Sequence, residues 1–347
     1  MASASFALDD FVGSLAPTDG KLLYMARVNP VLTFASEIVL DVDETSAAKP
    51  ADIQHHFLRR LFKLQVGHVL CWLHFSLETR LLPLRCRRVI LAVSCLIYLL
   101  RLPDNHCAHI ALQESKPLLR DGFPCWIGDL NWVISHLPGW GCVSHVEDMD
   151  VAQLISLQKA IERSCDEHLF GILSDSTKCS LLMGRLDLGM NRGGSGIVRK
   201  LRHYLASPVI PAHRKAFTSI MFSSHGLAVE RLRWRERYRA PVPREWRLCR
   251  FCRARVEDET HALMDCCGDL LHPLVPLRNA LRVEVSALVP DFFRHSDSHT
   301  LLLHLLHDGR LSIPVAKFIY NVLAVFYSVP MFVPAPYLYS PLLLAQA

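Results

Sequence analysis

Four residues have the types and spacing of a metal site: Cys249, Cys252, His261 and Cys266, in the pattern C-x2-C-x8-H-x4-C. Two thiolates separated by two residues can share one metal around a tight turn, because the intervening amides point at the sulfurs. Zinc takes four nitrogen or sulfur ligands in a tetrahedron, and a structural site keeps no position open for water. One structural zinc is therefore expected, without a catalytic role. Glu257, Asp258 and Glu259 stand where a short helix would begin, because acidic groups favour that end of the helix dipole. His261 then lies in that helix. Cys266 follows five residues later, beyond one turn of about 3.6 residues, so it belongs at the frayed helix end. Cys267 has similar reach, and the choice between the two stays open with Cys266 preferred. Cys142 with His145, Cys165 with His168, and His304 with His307 each lack a second pair and read as ordinary side chains.

The charge pattern gives these ligands a setting. The chain carries a net charge of +5, but Arg192–Arg255 holds fourteen Arg and two Lys against three Glu, a local balance of +13 that leaves −8 elsewhere. A basic block in an otherwise acidic chain suits a polyanion; the plainer alternative is a solvated arginine face with local Glu partners. Arg231, Arg233 and Arg235 precede the ligands, and Arg250, Arg253 and Arg255 stand among them. These six are the expected phosphate contacts. Trp234 and Tyr238 could stack on bases or pack beneath the zinc module, the latter being preferred.

The elements that must position these residues read as helices. The 347 residues are 51% hydrophobic and 20% charged, which excludes a disordered chain or a coiled coil. Ala47–Pro50 is expected to be a boundary, with a helical stripe after Asp52. Helical patterns follow at Leu82–Leu102, His109–Leu119, Trp126–Leu137, Met149–Leu173, Ile197–Leu205 and Pro211–Phe222. Glu230–Arg239 is expected to be a helix end running into an extended segment, with Glu230 paired to an arginine three or four residues on. The glycine-rich Asn191–Gly196 is a linker and lacks the Lys-Ser/Thr ending of a phosphate loop. Ile319–Val333, interrupted by Asn321 and closed by Pro330 and Pro334, reads as a core helix with an apolar tail, not a membrane span. The start of the chain has no basic segment before an apolar one and does not read as a signal peptide. The twelve cysteines are then reduced thiols in a nuclear or cytoplasmic setting.

The fold class expected is mainly α, a helical connector domain followed by a small zinc-stabilised module. The divisions are 1–50, 51–190 as the connector, 191–224 as linker and helices, 225–270 as the zinc module, and 271–347 as a helical tail.

Arg247-Leu-Cys-Arg-Phe-Cys252, Val256-Glu-Asp-Glu-Thr-His-Ala-Leu263 and Cys266 resemble the zinc-binding domain that follows the polymerase in non-LTR (LINE-type) retrotransposon reverse transcriptases. Cys249, Cys252, His261 and Cys266 match that family's ligand positions. Leu227–Arg233 is similar to the Leu/Arg-rich helix leading into its finger. More loosely, 20–34, 54–61 and 84–90 look like the thumb and connector of fungal elements, so the first fifty residues would be the end of a polymerase domain.

The resemblance implies binding of RNA or DNA, mostly through phosphates, with no small-molecule substrate. It departs from the family at the polymerase centre, where paired carboxylates hold two metal ions in an aromatic-x-Asp-Asp motif. The sole Asp-Asp here is Asp9-Asp10, with Ala7 at the aromatic position. The chain by itself is thus not expected to be an enzyme. The rival readings are a zinc-held scaffold for protein partners and a degenerate fragment.

Overall fold

The computed structural model describes residues 15–62, 76–142, 145–176, 178–183, 201–208, 210–236, 239–266, 273–294 and 297–338. Among these the chain is mainly helical, as expected. No strand forms, and β-type pairing is confined to two isolated bridges, Glu236 with Arg239 and Leu248 with Val256. Asn191–Gly196, Tyr238 and Cys267 lie outside the described residues. The chain divides into two compact units, Met1–Leu61 with Gly67–Ser176 and Asn191–Leu201, and Phe62–Val66 with Thr177–Met190 and Arg202–Ala347.

In the first unit, α1 (Pro17–Leu23) runs through a π turn at Tyr24–Val28 into Asn29–Leu32. Helix α2 (Glu44–Phe62) starts after Asp43, whose carboxylate accepts from the Ser46 amide at 3.0 Å and from the Thr45 and Ser46 hydroxyls. These bonds hold the Asp43 carboxyl down to about 2. The boundary expected at Ala47–Pro50 is not there: Pro50 lies inside α2. A proline at that point removes one amide donor, and the well-capped helix runs through it.

Helices α3 (Leu84–Leu100), α4 (Cys107–Arg120), α5 (Trp126–Ser135) and α6 (Val151–Asp175) follow where the periodicity places them. Asp150 and Gln153 form a reciprocal capping box at the start of α6. Leu154, Leu157, Ile161, Cys165, Leu169 and Leu173 make its buried stripe, each large apolar side chain contributing about 1.5–3 kcal/mol. Gln158 then ties α6 to α3, donating to Ile90 O at 3.1 Å and Ser94 Oγ at 2.7 Å.

In the second unit, α7 (Pro211–Met221), α8 (Ala228–Arg231), α9 (Leu274–Leu288) and α10 (Ser298–His307) precede α11 (Ser312–Tyr327). Phe318, Ile319, Val322, Leu323 and Phe326 of α11 are buried. The stretch Gly309–Tyr327 is long and apolar enough to cross a membrane by composition, and half of it is buried in this unit. Beyond α11, where an extended apolar tail is expected, residues 330–334 have no regular structure and a short helix follows at Ala335–Leu338. Met331, Val333 and Tyr337 pack on a small core of Ala228, Leu232 and Val242. The described residues from Arg202 onward fall in one of the two compact units.

Candidate metal centre

The Leu248–Val256 bridge brings two short segments side by side. Cys249 N donates to Arg255 O at 2.8 Å, and Glu257 N donates to Arg247 O at 2.9 Å. Between them Arg253 N donates to Cys249 O at 2.9 Å, and Arg253 takes a left-handed φ of 53°. This tight turn presents Cys249 and Cys252 together. On the other side, Asp258 Oδ1 accepts from His261 N at 2.9 Å and starts a helical turn. That turn widens into a π turn at His261–Asp265, in which Cys266 N donates to His261 O at 2.7 Å. A hydrogen bond spanning five residues stacks residue 266 over residue 261 on the same face of the turn, which a regular α turn would not do.

The four donor atoms lie within 4.8 Å of one another, close enough to bind one metal ion. Cys249 Sγ stands 3.6 Å from Cys266 Sγ, and Cys252 Sγ stands 3.3 Å from His261 Nε2. Cys249, His261 and Cys266 are buried and Cys252 is half-buried. No other such group occurs among the described residues. Without a metal, the neighbouring Cys266 thiol and then burial push the Cys249 thiol up to about 12. Burial opposes protonation of His261, but the Cys249 and Cys252 sulfurs together raise it above the usual histidine range.

Around the ligands the arginines separate into two kinds. Arg250 is not placed to meet a phosphate. It is buried and pairs with the buried Glu257 at 2.6 Å. Its guanidinium also donates to Phe326 O at 2.5 Å, Val329 O at 3.0 Å and Gly226 O at 3.0 Å. The fork of fixed donors that suits a phosphate is here filled by one carboxylate and three carbonyls. Arg239 is likewise turned inward, onto the carbonyls of Arg231, Leu232, Trp234 and Ala240 at 3.3 Å each. Arg278 braces the π turn itself, donating to Leu263 O, Cys266 O and Ala262 O at 2.6–3.1 Å.

Arg231, Arg235, Arg253 and Arg255 are exposed and Arg233 is half-buried. Arg231 lies 3.7 Å from Glu236, and Arg255 lies 3.7 Å from Asp265. Glu230 pairs with Arg233 at 3.5 Å, the i+3 spacing expected, and also with Lys178 at 3.3 Å. Trp234 does not pack beneath the ligands; it is exposed, with Lys178 Nζ 4.3 Å from its ring centroid.

Sequence reasoning did not find the supporting groups. His225 donates through Nε2 to Glu259 at 2.8 Å, with Leu227 N on its other nitrogen. Burial works against the Glu259 charge, but His225 holds its carboxyl below the usual range. Thirty-four residues separate that pair, and Arg278 stands equally apart from the pattern, so no local spacing signals either. Arg244 and Trp246 of the basic block are also exposed.

Comparison with protein families, with curated proteins and with solved structures finds no match to this chain.

Proposed function

We propose that this chain is a zinc-structured, nucleic-acid-binding protein of the kind its resemblance to LINE-type reverse transcriptases implies, inert as a polymerase by itself. The observation that carries the reading is the cluster of three sulfurs and one imidazole, whose donor atoms lie within 4.8 Å of one another. With zinc–sulfur bonds of about 2.3 Å, ligand atoms in a tetrahedron stand about 3.5–3.8 Å apart. The 3.6 Å sulfur–sulfur separation falls in that range, and the 3.3 Å sulfur–nitrogen separation is slightly shorter. Three soft sulfurs and one imidazole favour zinc over magnesium or calcium, which take oxygen ligands. Four protein ligands leave no place for a reactive water, so the metal fixes structure.

Phosphate contact falls to the cations that the interior does not use: Arg231, Arg233, Arg235, Arg253 and Arg255, joined by Arg244. Trp234 and Trp246 supply exposed rings for unstacked bases. This combination of cations and rings suits a single strand.

Elemental analysis of purified protein is expected to give about one zinc per chain, lost in Cys249→Ser and in His261→Ala. A folded, metal-free wild type contradicts the metal assignment. Binding of a single-stranded RNA oligonucleotide, followed by anisotropy, should weaken with salt by a log–log slope near −0.7 per phosphate contact. Replacing Arg231, Arg235, Arg253 and Arg255 by Gln should flatten that slope. A slope near zero in the wild type contradicts the nucleic-acid assignment while leaving the metal standing.

A further inference from the structure

Between Leu22 and Leu40 the sequence carries two charged residues, Arg27 and Glu37, among mostly apolar ones. A helical segment that is apolar all round belongs in an interior. One side of this segment is used. Tyr24, Val28 and Leu32 are buried, and the Tyr24 ring lies 5.2 Å from that of Phe57 on α2. Gly20 lets α1 approach Leu61 of the same helix, where a Cβ would clash. The opposite side is open to solvent, with Leu22, Val31, Phe34, Ile38, Val39 and Val42 44–83% exposed. At roughly 150–200 Å² for a whole large side chain, these six present on the order of 600–700 Å². The largest apolar patch on a typical monomer is about 300–600 Å².

These side chains do not sit on a loose loop. Arg88 of α3 donates to Leu32 O at 2.6 Å and grips the Asp41 carboxylate through two bonds of 2.6 and 3.0 Å. Trp126 Nε1 of α5 donates to Glu37 O at 3.2 Å. Between these anchors Ala35 takes a left-handed φ of 56°, and its carbonyl accepts from Ile38 N at 3.0 Å and from Val39 N at 2.8 Å. The tight turn keeps Phe34, Ile38 and Val39 near one another. A face fixed in advance loses little conformational freedom on binding.

We propose that this face binds a second copy of the chain, related to the first by a two-fold axis. A stable pair of proteins buries about 800 Å² per partner, which the six side chains and their rim supply. The charges select a second copy over an unrelated partner. Arg27 is exposed and Glu37 is half-buried, near Cys95 of α3, and neither has an ion-pair partner among the described residues. A two-fold axis sets residue i on j and j on i, so Arg27 of each copy meets Glu37 of the other. One arginine and one glutamate per chain then give two pairs with no charge left over. The proposal concerns the first unit alone and is independent of the zinc and nucleic-acid reading.

The test is analytical sedimentation of the full chain over about 1–100 µM, where a reversible dimer is expected. Phe34→Glu should raise its dissociation constant at least about thirtyfold. Arg27→Glu and Glu37→Arg should each raise it about tenfold by setting like charges together. The double variant Arg27→Glu/Glu37→Arg rebuilds opposite pairs and should return the constant to near the wild-type value. Circular dichroism verifies that each variant is folded, and the charge variants decide the matter if Phe34→Glu is not. A wild type that stays monomeric to about 100 µM, a dimer that Phe34→Glu leaves intact, or a double variant no tighter than its parents overturns the proposal. Monomeric protein that instead cosediments with phosphatidylcholine vesicles, and loses that property in Phe34→Glu, assigns the face to a lipid surface and overturns it equally.

Discussion

At the scale of single residues, arginine does two opposite jobs within a few positions. Arg250 and Arg253 are both flanked by metal ligands, yet one is buried and the other exposed. The difference lies in what each faces. Arg250 meets Glu257 and carbonyls of α11 and its following turn, whereas Arg253 lies with its guanidinium 5.0 Å from the Phe332 ring. Removing Arg250 leaves Glu257 as an uncompensated buried charge, a loss of about 3–5 kcal/mol. Arg250→Ala should therefore move the chemical-denaturation midpoint far, and Arg250→Lys should not restore it, because an ammonium cannot reproduce the fork. Arg253→Ala should stay within about 0.5 kcal/mol of wild type in the same measurement. Equal effects of the two alanine variants would contradict this division.

Legibility in the sequence follows the same line. The cluster of four donor side chains was readable because metal geometry calls for particular donor types at local spacing. The role of Arg250 was not, since its partners Phe326 and Val329 lie 76 and 79 residues away.

At the scale of elements, the helices of the first unit were readable because their apolar periodicity and caps are local. Leu154 through Leu173 repeat as a stripe, and Asp150 with Gln153 supplies the start signal. Pro50 misled because proline usually marks an edge, while the cap at Asp43 had already started the helix. That cap has a pH signature. The folded-state carboxyl of Asp43, at about 2, lies below its unfolded value of about 3.9. Its contribution is full above the unfolded value and is lost as pH falls through the folded one. The stability advantage of wild type over Asp43→Ala should shrink between about pH 4 and about pH 2. A constant difference across that window, measured by urea denaturation, would contradict the cap.

The π turn was foreshadowed by the four-residue gap between His261 and Cys266, too long for one α turn. Its widening answers that mismatch. Nearby, Gly226 marks a close approach with no local signal. Its amide donates to Tyr327 Oη at 2.9 Å, and a Cβ there would stand 2.7 Å from the Tyr327 ring. Gly226→Ala should destabilise by about 1–3 kcal/mol through overpacking, read from the denaturation midpoint. Shrinking the facing ring in the double variant Gly226→Ala/Tyr327→Leu should recover part of that loss if the crowding is its cause.

At the scale of the whole molecule, a metal bound by the four clustered donors would couple to the folding of one unit. The residues around the ligands are held from three directions: by Arg278 of α9, by Phe326 and Val329 at the end of α11, and by Gly226 before α8. Loss of the metal would therefore loosen more than its own loop, because Arg250 and Arg278 fasten that loop to helices of the main core. A ligand that binds only the folded state stabilises it in proportion to the logarithm of its concentration over its dissociation constant. That stabilisation belongs to the second unit, which holds all four ligands, and not to the first. Two melting transitions are expected. Chelation, or Cys249→Ser, should lower one and leave the other in place. Fluorescence can assign them, since Trp126, Trp132 and Trp140 report on the first unit and Trp234 and Trp246 on the second. Only the signal from Trp234 and Trp246, isolated by replacing the other tryptophans with Phe, should shift with chelator. A single transition that moves as a whole would mean that the two units unfold as one, and that the metal stabilises the entire chain.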